Sequence, residues 1–335
     1  MNRANLSLCL TLISCVGFSG CNSNDDTTIV SSVPSDPLSV PYRKPEFVAV
    51  TNAYGPLVVK AGEFSVESKT KPWSSWWFPI KDTYLFQSHG SELSPLQKYD
   101  LYAKNKLGRD THAAQFEKEK IYDPDAAGWE GLCDAWSVAS IRVPEPTHPV
   151  TAGGITFGVG DLKALLVKTF DAVEGKHLLG QRFMGDRDSV FEDIYPDQFH
   201  RYLQAQLFDK GQPFVMDKDP GVAVWNTPIW KAEVKVERDL ASNNKVHVQT
   251  WLYGAGVSVD TYDFIGTDEV TFQYTYDLIG FWSPDGSFHA EFGEWTGESK
   301  DYHPDFITVV PEKLVRKGRN TEIDPAIVDK IILGQ

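Results

Sequence analysis

Cysteine is scarce in this chain, and its placement matters more than its number. Of four cysteines, Cys9, Cys15 and Cys21 fall within the first 21 residues, and Cys133 stands alone in the rest. One thiol cannot close an internal disulfide, so a disulfide scaffold is excluded for the bulk of the chain. A zinc site is disfavoured too, because it needs Cys and His clustered at ligand spacing. Positive charge is in short supply: 32 Lys and Arg against 46 Asp and Glu leave a formal net charge of −14. That balance argues against nucleic acid and against a polybasic membrane contact. Long apolar runs are missing as well; the stretch Leu6 to Ser19 is shorter than a bilayer span requires. What the chain does have is core material, with 41% hydrophobic and 13% aromatic residues.

The N-terminus reads as an export signal. Arg3 supplies the positive start, Leu6 to Ser19 the apolar stretch, and Phe18-Ser-Gly-Cys21 a small-residue site ending in the cysteine to be lipidated. Leu12-Ile-Ser-Cys15 is a second candidate, but the chain turns polar directly after Cys21. Asn22, in place of Asp, directs such lipoproteins to the outer membrane. The expected division is a signal peptide over 1–20, a Ser-, Thr-, Asp- and Pro-rich tether over 21–45, an N-terminal region over 46–125 packed on the core, and a catalytic domain over 126–335. Any membrane contact is then through the N-terminal lipid alone.

Periodicity places helices first and strands later. Ser94 followed by Pro95 opens a helix. Asp161 to Val173 carries Leu162, Leu165, Leu166 and Phe170 at helical spacing, with Asp161 as cap, and Tyr195 to Asp209 forms another helix closed by Gly211. From Pro213 onward the pattern alternates, giving strands over 214–216, 222–225, 232–236, 246–252 and 270–278, with Pro284-Asp-Gly286 as a turn. Trp73-Ser-Ser-Trp-Trp-Phe78 reads as a plug of core aromatics. The class is α+β.

Cys133 sits at the head of a short helix beginning at Asp134, after two glycines and the acidic turn Tyr122-Asp-Pro-Asp125. A helix N-terminus stabilises a thiolate, so the setting favours a reactive sulfur. A cysteine opening a helix, followed by an antiparallel sheet, is the element order of a papain-like cysteine-enzyme core.

Several segments resemble one family. Gly128-Trp-Glu-Gly-Leu-Cys-Asp-Ala-Trp136 is similar to the cysteine segment of the elicitor-type transglutaminases, and Val224-Trp-Asn-Thr-Pro-Ile229 to that family's surface peptide, with Thr227 and Ile229 as departures. Tyr274-Thr-Tyr-Asp-Leu278, Gly293-Glu-Trp295 and His303-Pro-Asp-Phe306 follow in the family's order. The resemblance implies a protein–glutamine γ-glutamyltransferase, often calcium-dependent, acting on proteins that carry Gln and Lys side chains. It implies a thioester on Cys133 that a lysine amine resolves.

The nucleophile needs a base. Of the eight histidines, His303 and His289 lie in the C-terminal sheet region, where a papain-like layout puts the base. His303 with Asp301 two residues before it is the first choice, because residues i and i+2 of a strand share a face. His289, oriented by Glu291 or Glu294, is the rival. Trp129, Trp136 and Trp225 are candidate substrate walls. The acidic pairs Asp123/Asp125, Asp186/Asp188 and Asp217/Asp219 fit no EF-hand loop and read as solvated, so no calcium ligand emerges. Two other functions fit the same residues: a papain-like protease or amidase, and a non-enzymatic surface lipoprotein that binds through the Trp225 region.

Overall fold

The computed structural model describes residues 53–183 and 193–335, which fall in one compact unit. The export signal, the tether and the Asp186/Asp188 pair lie outside the described residues.

Two short strands, β1 (Leu57–Val59) and β2 (Gly62–Glu67), come first. Then α1 (Pro95–Leu107) begins at Ser94 with a reciprocal cap: the Gln97 N–H donates to Ser94 Oγ (3.3 Å) and the Ser94 N–H to Gln97 Oε1 (2.9 Å). Next are α2 (Ala113–Phe116), continued by a π-turn over Glu117–Ile121, and α3 (Cys133–Arg142). A hairpin of β3 (Val150–Ala152) and β4 (Ile155–Phe157) leads into α4 (Val159–Lys168). Then come β5 (His177–Gly180), α5 (Pro196–Leu203) with a π-helical continuation over Gln204–Asp209, and β6 (Phe214–Asp217). The long strands β7 (Asn226–Arg238), β8 (Lys245–Ala255), β9 (Glu269–Trp282) and β10 (Phe288–Trp295) follow, then β11 (Phe306–Val309) and α6 (Pro325–Ile332).

Nine strands form one antiparallel sheet in the order β1-β10-β9-β8-β7-β6-β11-β5, with β2 sharing an edge of β7 with β6. The α+β class is thus observed, with β1 and β2 ahead of the helices as well as the strands of the second half. Two hydrophobic clusters result. One is helical, around Trp73, Tyr99, Trp136, Leu165, Phe170 and Ile331. The other lies on the sheet, around Phe199, Met216, Val234, Val248, Tyr276 and Ile307. Residues on both sides of position 125 contribute to both clusters.

The expected strands over 214–216, 232–236, 246–252 and 270–278 all lie within observed ones, and Ser283 and Ser287 close the turn around Pro284. Two readings need correction. Residues 222–225 form a loop, because Asn226 is the first residue paired with β6. Asp161 is the third residue of α4 instead of its cap; its carboxylate accepts the Gly158 N–H at 2.8 Å and the buried Lys98 ammonium at 2.6 Å.

All ten residues of α4 are buried, including two lysines. An ammonium in such a place must be paired and hydrogen-bonded. Lys163 Nζ reaches Glu145 Oε1, Ser74 O and Phe264 O, each at 2.7 Å. Lys168 Nζ reaches Glu117 Oε1 at 2.9 Å and Asp171 Oδ2 at 2.8 Å. Lys168→Ala takes the shared ammonium from two buried carboxylates, leaving Asp171 with Arg319 and Glu117 with Asn320, and urea unfolding is expected to show a loss of about 3–5 kcal/mol. A loss below about 1 kcal/mol, the range of exposed pairs, contradicts this reading.

Candidate active site

Gly131 and Leu132 fix the approach to α3. A Cβ on Gly131 would lie 2.6 Å from both the Trp77 ring and the Trp77 carbonyl oxygen, so only glycine fits. The Leu132 N–H donates to that carbonyl at 2.6 Å. One turn later Trp136 is fully buried and donates its indole N–H to the Trp73 carbonyl at 3.0 Å. The first residue of α3 is thereby held against β6 and β7, on which the helix packs.

That residue is Cys133. Its thiol donates to the Val224 carbonyl at 3.6 Å, and the Asn226 side-chain amide donates to the sulfur at 3.7 Å. The Thr308 hydroxyl donates to Asn226 Oδ1 at 3.5 Å. Asn226 stands opposite Asp217 in the β6–β7 register, so both side chains project from one face of the sheet. Asp217 has no exposed surface. Its Oδ1 accepts the Trp225 N–H at 2.9 Å, and its Oδ2 has no hydrogen-bond partner among the described residues. A buried, half-satisfied carboxyl is costly, which makes it a candidate functional group.

The electrostatics follow from this geometry. Burial pushes the Cys133 thiol up to about 11; Asp134 and Asp217 add to the rise, and the Asn226 contacts oppose it. The expectation of a helix-stabilised thiolate is therefore corrected: with the sulfur out of water and two carboxylates near, the resting group is a thiol. Burial also lifts the Asp217 carboxyl to about 7, against the Trp225 N–H, which favours the ionised form. Asp305 is likewise raised, by burial and by its hydrogen bond to Asp193.

Cys133 lines a cavity of about 300 Å³ with Trp129, Lys176, Arg182, Asn226 and Phe306. His177 lines it too, and it is the one imidazole there. Its place on β5, beside β11, is a matter of strand pairing that no local pattern in the sequence shows.

The other expected residues fall as follows. His303 is buried on the Trp295 ring, with centroids 5.1 Å apart. Its Nδ1 bonds to Ser299 O at 2.9 Å and its Nε2 to Asp193 Oδ2 at 3.0 Å. Neither nitrogen bonds to the Cys133 sulfur or to Asp301. The face-sharing argument for Asp301 and His303 fails because Asp301 ends a 3-10 turn (Gly297–Lys300) and is exposed, so no strand runs there. His289 stacks on Phe281 in β10, three strands from β7. Trp136 belongs to the helical core, so it walls no channel. Trp129 lines the cavity, while the Trp225 ring packs edge-on against Trp77 at 5.7 Å.

Asp217 and Asn226 were not foreseen as site residues. Asp217 looked like half of a solvated pair, yet it is enclosed. Asp123 is exposed, its carboxylate accepting the Asp125 N–H at 2.9 Å. Among the described residues no group of three or more His, Cys, Asp or Glu is placed to hold a metal ion.

Comparisons with known proteins bear on this geometry. Residues 104–256 match the family model "Transglutaminase elicitor". Among solved structures, the GP42 transglutaminase from Phytophthora sojae superposes with a TM-score of 0.65 at 20% identity, covering 87% of this chain and 98% of that one. At that identity the likeness speaks for the fold. No curated protein matches.

Two measurements test the electrostatics. Iodoacetamide alkylation of Cys133 in the folded protein is expected to rise with an inflection above about pH 9, and Asp217→Asn to move it down, by removing a charge that opposes the thiolate. A wild-type inflection below about pH 8 overturns the assignment. The Asp217 carboxyl titrates near 7 when folded and near 3.8 ordinarily, so between those values the folded protein holds a proton the unfolded chain has released. Stability from this group is full at low pH and is lost as pH rises through that window. Asp217→Asn should therefore raise the Tm more at about pH 8 than at about pH 4; an equal change at both contradicts it.

Proposed function

The chain belongs to the transglutaminase elicitor family, and from that premise we propose that it is a protein–glutamine γ-glutamyltransferase whose nucleophile is Cys133. One observation carries the reading: a helix-borne thiol at a cavity, touched by the amide of Asn226, whose cross-strand partner is the buried Asp217 carboxyl with one oxygen unpaired among the described residues. A thiol-bearing helix on an antiparallel sheet, with its polar partners on neighbouring strands, supports a papain-like core.

In the proposed reaction a glutamine side chain enters the cavity and displaces the Val224 carbonyl from the sulfur. The sulfur attacks the carboxamide carbon while its proton passes to Asp217 Oδ2. A base near neutral suits this transfer, because it is both ionised and able to return the proton. The C–N bond then breaks, and the nitrogen leaves as ammonia with the proton from Asp217. A thioester remains. Through the addition, the Cys133 backbone N–H at the helix start and the Asn226 amide stabilise the carbonyl oxygen. A lysine amine next attacks the thioester carbon, gives a proton to Asp217, and forms the isopeptide bond as the C–S bond breaks. Asp217 returns that proton to the sulfur. Trp129 at the cavity wall helps to exclude water, which would otherwise hydrolyse the thioester.

Anchored through Cys21 on the outer membrane, such an enzyme would act on exported or surrounding proteins that offer Gln and Lys side chains. The same groups would serve an amidase or protease if water took the place of the amine. The deciding assay follows amine incorporation into a glutamine-bearing protein, ammonia release and new N-termini, with and without calcium.

Wild type is expected to release ammonia and incorporate amine without new N-termini, and Cys133→Ala to do neither. Equal incorporation by both proteins sinks the proposal. Asp217→Asn should lower kcat by about 100-fold, the worth of a positioned base. Retained activity in Asp217→Asn with loss in His303→Ala or His177→Ala hands the base role to that imidazole.

A further inference from the structure

The mouth of the Cys133 cavity carries a charge opposite to that of the whole chain. Lys176, His177 and Arg182 line it, against the single carboxylate of Asp134. Lys176 Nζ pairs with Asp134 Oδ2 at 3.1 Å, so those two charges largely offset. Arg182 lies over the Trp129 ring, 5.2 Å from its centroid, and no carboxylate pairs with it among the described residues. The rim is therefore a net cation, held in place by an aromatic face. The guanidinium is exposed and keeps its donors in a planar fork that fits a carboxylate.

Distance decides which charge an incoming peptide meets. The formal charge of the chain, −14, is spread over its whole surface. At physiological salt, charges more than about 8 Å away are screened, so a peptide at the cavity mouth responds to Arg182 and Lys176 before the remote acidic residues. We propose that Arg182, supported by Lys176, selects acyl-donor glutamines that have an acidic residue beside them. This rests on the acyl-transfer reading, and it names the substrate class of that same site.

The test compares three peptides that carry one glutamine flanked by Glu, by Ala or by Lys, with one amine acceptor throughout. For wild type at low salt, kcat/KM is expected to rank Glu above Ala above Lys, with roughly fivefold between neighbours, and the spread should shrink as salt rises. Arg182→Glu is expected to invert the Glu-to-Lys ratio, and Arg182→Lys to keep its direction. A flat wild-type ranking, or a ratio unchanged in Arg182→Glu, overturns the proposal. Peptide binding to Cys133→Ser, read by fluorescence anisotropy, separates this failure from that of the enzymatic reading. If no peptide is turned over, the same binding order and its inversion by Arg182→Glu uphold the rim's selectivity, and equal binding refutes it.

Discussion

The pairing of Asp217 with Asn226 across β6 and β7 is the constraint on which the site depends. It sets a carboxyl and an amide side by side on one face of the sheet. Packing of α3 on the same strands then brings Cys133 to the amide. A slip of one residue in that register would turn both groups to the other face. The register is firmly held. The neighbouring inward residues Met216, Ile229 and Ile307 pack in the sheet core, where a slip would put polar groups in their place.

The site is maintained at a cost in stability. Asp217 and Asp305 each bury an oxygen that has no hydrogen-bond partner among the described residues, and the thiol is kept out of water. Such features persist only where the surrounding fold fixes them firmly. Here the helical core supplies that rigidity. Trp136 is tied to Trp73, Gly131 lies against Trp77, and the buried Lys163 and Lys168 close their polar networks around α4. The resting thiol, held by the Val224 carbonyl and raised by burial, is also a guarded one. A thiol so held reacts slowly with stray electrophiles near neutral pH.

Much of this was legible in the sequence, but not all of it. The special status of Cys133 followed from counting, and its place at a helix start from the glycines before it. The long strands β7, β8 and β9 showed in their alternation. The partners of the thiol did not show, because they depend on long-range pairing. Nothing local distinguishes the enclosed Asp217 from the partly exposed Asp219 two residues on. The preference for His303 and Asp301 came from strand periodicity applied to a segment that turns instead of extending. His177 and Arg182 reach the cavity because β5 pairs with β11, more than a hundred residues further along the chain. Short strands such as β1, β5 and β11 have too few residues for alternation to declare itself.

The account stands on a covalent bond between the Cys133 sulfur and a glutamine side-chain carbonyl. Its most direct test is intact-protein and peptide mass spectrometry after mixing the full chain with a glutamine peptide and no amine acceptor, quenched in acid. The account predicts an adduct equal to the peptide less ammonia, located on Cys133 and removed by hydroxylamine. An unmodified Cys133 in a sample that has released ammonia, or an adduct on another residue, contradicts it.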